Sequence, residues 1–141
     1  MKLDHIVNLP VIDAARFALR PVRRADSGLI SMYTGDKRVA WNTSSIPHPL
    51  PPGTSEAFVE RAMSPDRSED VWVIDGSATG AGEVLGTIGL KRMDRAQSEI
   101  GYWIAPAFWN TGLASEAVRA VLDANPQDAE TFFGVVFQDN P

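Results

Sequence analysis

With 141 residues, 44% of them hydrophobic and 22% charged, the chain has the make-up of one globular domain large enough to bury a core. Its net charge of −5 argues against a direct nucleic-acid partner and suits a basic partner or an amine substrate. The absence of cysteine excludes disulfides, thiolate catalysis and cysteine-based zinc sites; His5 and His48 lie far apart, so no metal site is expected.

The opening, from Met1 to Phe17, has Asp4, Asn8 and Asp13 among its apolar residues and no small-residue cleavage site, which argues against a secretory leader. No stretch reaches the length of a membrane span, so no membrane partner is expected and the cytoplasm is the expected compartment. Residues 1–15 show no clear periodicity. Arg16 to Arg20 alternates polar and apolar residues and reads as a first strand, ended by Pro21. Asp26 is placed to cap a helix with Leu29, Ile30 and Tyr33 on one face and Gly35 at its end. Residues 41–53 contain four prolines and read as an irregular loop. His48 sits in it, where a solvated side chain is the ordinary reading and an acid–base role the rarer one. Thr54 or Ser55 then caps a helix through Met63, with Phe58/Ala62 and Val59/Met63 as pairs four apart.

Val71 to Ile74 reads as a second strand, 75–82 as a turn, Glu83 to Arg92 as a third strand, and Asp94 to Ala96 as a second turn. Two consecutive hairpins make this part of the sheet antiparallel. Gly80, Gly82, Gly86 and Gly89 do not have dinucleotide-loop spacing, and a strand rather than a helix follows Gly82. Gly86 and Gly89 are better read as marking a bulge or a close backbone approach.

Ser98 to Leu122 is the most informative stretch. Ser98 to Ile104 is aromatic and β-branched, as strands prefer, and Pro106 ends it. From Leu113 the period changes: Leu113, Ala117 and Val121, then Ala114, Val118 and Leu122, recur four apart, while Ser115, Glu116, Arg119 and Asp123 fall on the other side. A helix entered through Asn110, Thr111 and Gly112 presents unpaired N–H groups and the positive end of its dipole, for which phosphate is a natural guest; ordinary turn chemistry is the alternative. After Asn125 to Asp128, Thr131 to Phe137 reads as a fifth strand.

The residues Gly101, Tyr102, Trp103, Ile104, Pro106, Trp109, Gly112, Ala114, Ser115, Glu116 and Ala117 resemble the acetyl-CoA-binding core of the GNAT N-acetyltransferases, and most of all the branch that acetylates ribosomal-protein N-termini. The early phrase FALRPVRRAD resembles the opening strand of the same family. The departure is Asn110, where the family usually has glycine; asparagine tolerates the left-handed backbone region better than other residues with a side chain. The resemblance implies an α/β (α+β) GNAT-like fold, with a mixed, mostly antiparallel sheet flanked by helices. It implies acetyl-CoA as co-substrate and an amine as acceptor, either a protein N-terminus or a small molecule.

The same resemblance implies where the cofactor lies: pyrophosphate at Asn110, Thr111, Gly112, Leu113, Ala114 and Ser115, with Trp109 a further cofactor-binding residue, the pantetheine arm on the backbone of Trp103, Ile104 and Ala105, and a contact from Asn140 after the fifth strand. Glu99, matching a glutamate of several relatives, is the implied general base, directly or through water; an exposed strand-end carboxylate is the alternative. Glu116, in the first helical turn, has a structural role as its expected one. Tyr102 and Trp103 should point to opposite faces of the sheet. Relatives continue through a helix and two further strands, so the sequence is expected to lack C-terminal elements, including a tyrosine acid, or to have its last strand covered by a second copy in a homodimer. A non-catalytic GNAT-like module that binds acyl-CoA, or serves in an assembly, shares the same core and is the alternative function.

Overall fold

Val71 and Val73 pack in one apolar cluster and Trp72 and Ile74 in another, so the strand that carries them is buried on both faces. Such a strand needs cover on each side. In the computed structural model, which describes residues 9–41, 46 and 48–134, this strand lies inside a six-stranded sheet whose spatial order follows the sequence. The strands are β1 (Ile12–Asp13), β2 (Ala18–Pro21), β3 (Glu69–Asp75), β4 (Gly86–Met93), β5 (Gln97–Ile104) and β6 (Thr131–Gly134). Neighbours are antiparallel from β1 to β5, while β5 and β6 are parallel. A parallel pair needs a crossover, and the helix α4 (Leu113–Ala124) provides it.

The helix α4 lays Leu113, Ala117 and Val121 on Leu19, Trp72, Ile74, Ile88, Leu90 and Ile104, as its four-residue spacing predicts. Helices α1 (Ser27–Thr34), α2 (Lys37–Trp41) and α3 (Thr54–Met63) cover the other face. There Ile30, Val39, Val59 and Ala62 meet Val71, Val73 and Trp103. The sheet is therefore mixed and mostly antiparallel with helices on both sides, the fold expected from the sequence. Among the described residues, no helix is long and apolar enough to cross a membrane.

Several local expectations change. Strand β1 arises in a stretch without periodicity; two residues register against Leu19 and Ala18, too few to give a pattern. Helix α2 begins before the proline-rich loop that was expected from residue 41. Met63 is exposed, so Ser55, Val59 and Ala62 form the buried stripe of α3. Gly53, at φ 81, rather than Thr54 or Ser55, is the N-cap of α3. Asp26 does not cap α1 with its side chain. Its buried carboxylate instead accepts from the Arg20 guanidinium at 2.8 and 2.9 Å and from the Arg23 amide at 2.7 Å. Arg20 also donates to Asp75 at 2.7 Å, tying β2, β3 and the entry to α1 together. Of the expected fifth strand, Thr131 to Gly134 is seen, and Val135 to Phe137 lie outside the described residues.

A buried polar chain fixes the end of the sheet where β6 begins. Gln127 accepts from the Ser98 hydroxyl at 2.7 Å and donates to Asp70 at 2.8 Å and to the Leu90 carbonyl at 3.0 Å. Arg67 donates to the other oxygen of Asp70 at 2.8 Å. The connection from α4 to β6 is thus pinned to β3, β4 and β5, which sets the place of β6 beside β5.

Candidate functional site

The loop between β5 and α4 has the backbone shape that its sequence called for. Asn110 is left-handed at φ 63 and Gly112 at φ 79, the second serving as the N-cap of α4. The first intrahelical bond runs from the Glu116 amide to the Gly112 carbonyl. The amides of Leu113, Ala114 and Ser115 therefore have no partner within the helix and stand at its positive end. Asn110, Thr111, Gly112 and Ser115 are exposed, while Leu113 is buried and anchors the loop in the core. Among the described residues no side chain makes a capping hydrogen bond here, and the acid of the first turn, Glu116, is engaged by Arg16, so the end is fitted to an anion.

Arg16 and Glu116 brace the loop. The Arg16 guanidinium donates to Glu116 at 2.6 Å and to the Thr111 carbonyl at 3.0 Å, and its backbone amide reaches Glu116 at 3.3 Å. Partial burial pushes the Glu116 carboxyl up, but its bonds to Arg16 hold it below the ordinary glutamate value. Glu116 thus ties the chain before β2 to the first turn of α4. Arg16 was missed as a site residue, because its partners are a hundred residues away in sequence.

The end of β5 is committed to β4 on one side; on the other, no described residue pairs with it beyond Ile100. The Ala105 amide donates to the Leu85 carbonyl at 2.8 Å, on the β4 side. The Trp103 carbonyl is also turned to β4, against Gly86, where any Cβ would collide with it. Gly86 is thus a close-approach glycine. Strand alternation then turns the Ile104 amide and the Tyr102 backbone toward the β6 side, beyond Ile100 with Gly134, the last β5–β6 pair among the described residues. The Ile104 carbonyl accepts from the Trp109 indole at 2.7 Å, which fixes the exit of the strand. Asn140 lies outside the described residues.

Tyr102 and Trp103 do point to opposite faces. Tyr102 packs on the α4 side, and Trp103 is buried on the α1–α3 side with its ring centroid 6.2 Å from that of Tyr33. Glu99 shares the Trp103 face of β5, half-buried, opposite Lys91 of β4 and beside Phe133 of β6. His48 is exposed. Glu69, not considered from the sequence, lies on the same face as Glu99, across Lys91. No group of three or more metal-ligating side chains occurs among the described residues.

The sequence model of the family described as acetyltransferase (GNAT) domain matches residues 16–141. The chain belongs to this family. Among solved structures, a GNAT-family acetyltransferase from Bacillus anthracis is similar at 24% identity and a TM-score of 0.65, over 82% of this chain and 66% of that one. This chain thus spans just under two thirds of that protein's length. The microcin C7 self-immunity acetyltransferase MccE, in complex with acetyl-CoA and AMP, is similar at 12% identity and a TM-score of 0.72, over 90% of this chain and 73% of that one. An acetyltransferase from Agrobacterium tumefaciens is similar at 20% identity and a TM-score of 0.64, over 87% and 70%. No curated protein matches the chain. In this GNAT chain, the loop at Asn110 to Ser115, the end of β5 and the face bearing Glu99 are neighbours along one strand and the turn that leaves it.

Proposed function

We propose that this GNAT domain transfers an acetyl group from acetyl-CoA to a primary amine in the cytoplasm. The N-terminal amine of a ribosomal or other protein is the acceptor that the sequence resemblance favours. The reading rests most on one observation: a left-handed Asn110 and Gly112 lead from the end of β5 into α4, within a family match that spans residues 16–141.

In this reading the amides of Leu113, Ala114 and Ser115 hold the pyrophosphate, while Trp109, Asn110, Thr111 and Gly112 shape the loop that admits it. The pantetheine arm follows the β6 side of β5, where the Ile104 amide and the Tyr102 backbone are turned. Trp103 and Ala105 serve by holding the strand to β4, since the Trp103 carbonyl and Ala105 amide face that way. Asn140 is the proposed further contact beyond β6. The amine approaches from the α1–α3 face, loses a proton to a carboxylate, for which Glu99 is the sequence's candidate, and attacks the thioester carbonyl. The C–N bond forms, the C–S bond breaks, and the CoA thiolate takes up a proton.

Incubation with acetyl-CoA and a panel of amines, followed by mass spectrometry, tests the reading. An acetylated amine is the expected product. Thermal stabilisation by CoA without any product would favour the non-catalytic acyl-CoA-binding module, and neither stabilisation nor product would refute both.

A further inference from the structure

Glu69 is a half-buried carboxylate at the start of β3. It opens β3, in register with Lys91 of β4, which in turn is in register with Glu99 of β5. Directly opposed residues in antiparallel strands share a face, so all three side chains stand on the α1–α3 side. The next row on that face is Val71, Gly89 and Gly101. The Glu69 side chain has turned into the space that Gly89 leaves: a Cβ there would lie 2.6 Å from Glu69 Oε2 and 3.0 Å from its Cδ. Above exposed Gly101, a Cβ would meet nothing within 4 Å. Beyond Gly101 the row ends at buried Trp103, with Tyr33 against it.

Among the described residues, the Glu69 carboxylate therefore lies over Gly89 at the margin of a hollow floored by Gly101. Among the described residues it has no hydrogen bond or ion pair. The charged groups around it are Lys91 on β4, Glu99 on β5, Asp70 beside it on β3, and Arg61 on α3. Burial works most strongly against its ionised form; Glu99 and Asp70 add to that, and Lys91 and Arg61 only partly offset it, so its carboxyl titrates above the ordinary glutamate value. A carboxylate in that condition is a better proton acceptor near neutral pH than an exposed one.

We propose that Glu69 takes the proton from the acceptor amine, and that Glu99 on the far side of Lys91 draws the same amine into the hollow as an ammonium ion. The acceptor class is then an alkylammonium without a neighbouring carboxylate. One ammonium proton moves to Glu69, and the freed lone pair attacks the thioester carbon. The C–N bond forms as the C–S bond breaks, and the proton remaining on the nitrogen in excess goes to the departing thiolate. Bulk solvent later removes the proton from Glu69.

This assignment rests on the acetyl-transfer reading, and kinetics of Glu69→Gln and Glu99→Gln across pH separate the two. Glu69→Gln should lower kcat by roughly 10²-fold and abolish the acidic limb of the kcat profile. Glu99→Gln should mainly raise KM for the amine and keep that limb. Both should keep wild-type stabilisation by CoA, which shows that each variant is folded. Glu69→Gln should also melt higher than wild type near neutral pH: a raised carboxyl pKa stabilises the fold below the unfolded value and loses that contribution as pH rises through the folded one. Loss of the limb in Glu99→Gln alone, with Glu69→Gln active, overturns the assignment while leaving acetyl transfer intact. A wild-type protein that binds CoA and acetylates no amine overturns both.

Discussion

On the α4 face of the sheet, Leu19, Trp72, Ile74, Ile88, Leu90 and Val121 are almost wholly removed from water. On the α1–α3 face, the rows of β3, β4 and β5 run from valines and Trp103 to two glycines, and then to Glu69, Lys91 and Glu99. One face is filled by interlocking apolar side chains; the other, among the described residues, is filled at one end and open at the other. The difference separates support from reaction. Dense packing holds α4, and hence the loop at its N-terminus, at a fixed height above β5. Missing side chains on the opposite face leave room for a second reactant beside a carboxylate that burial has made basic.

Substitutions can break this division, the largest effects first. Ile88→Ala, in the filled face, should destabilise the fold by about 4 kcal/mol through lost transfer energy and a cavity. Denaturant unfolding checks it, and the variant that remains folded should keep the relative order of amine preferences. Asp26→Ala should cost about 3 kcal/mol, because part of the buried Arg20 guanidinium loses its partner while Asp75 still holds Nε. Burial raises the Asp26 carboxyl, yet the bonds from Arg20 and Arg23 outweigh it and hold it below its ordinary value. Its stabilisation is therefore complete above that ordinary value and fades as pH falls through the lower folded one. Unfolding of wild type measured below pH 4 should show the decline, and the variant should lack it.

Gly112→Val should cost about 1–2 kcal/mol, since a side chain at φ 79 is strained. Its larger effect is on the ligand: stabilisation by CoA, read as a thermal shift, should disappear. Glu116→Gln should cost about 0.5–1 kcal/mol, the scale of a partly exposed ion pair. It releases Arg16 from the loop, so CoA affinity should fall modestly with kcat unchanged. An unchanged affinity would show that the loop keeps its shape without the brace.

Much of this was legible in the sequence, and the reason is periodicity. A helix repeats its buried positions every turn, so Leu113/Ala117/Val121 announced themselves as a packed face, and the apolar run Val71 to Ile74 announced itself as a strand. Asn110 was readable as a left-handed residue because few side chains other than asparagine's suit that region. Contacts between distant residues leave no such local trace. Arg16 bracing Thr111 and Glu116, Asp26 turning from a helix cap to Arg20, and Glu69 folding over Gly89 all depend on register. That register comes from the whole sheet. Gly89 and Gly101 were each visible as glycines, but only pairing across β4 and β5 makes them one hollow.

The central claim is that the loop before α4 and the end of β5 present acetyl-CoA to an amine on the opposite face. Amine-dependent release of CoA thiol, measured for wild type and Gly112→Val at matched folded concentration, tests it most directly. The account predicts release by wild type that requires the amine, and none by the variant. Equal amine-dependent release by both proteins would place the cofactor elsewhere and contradict the account.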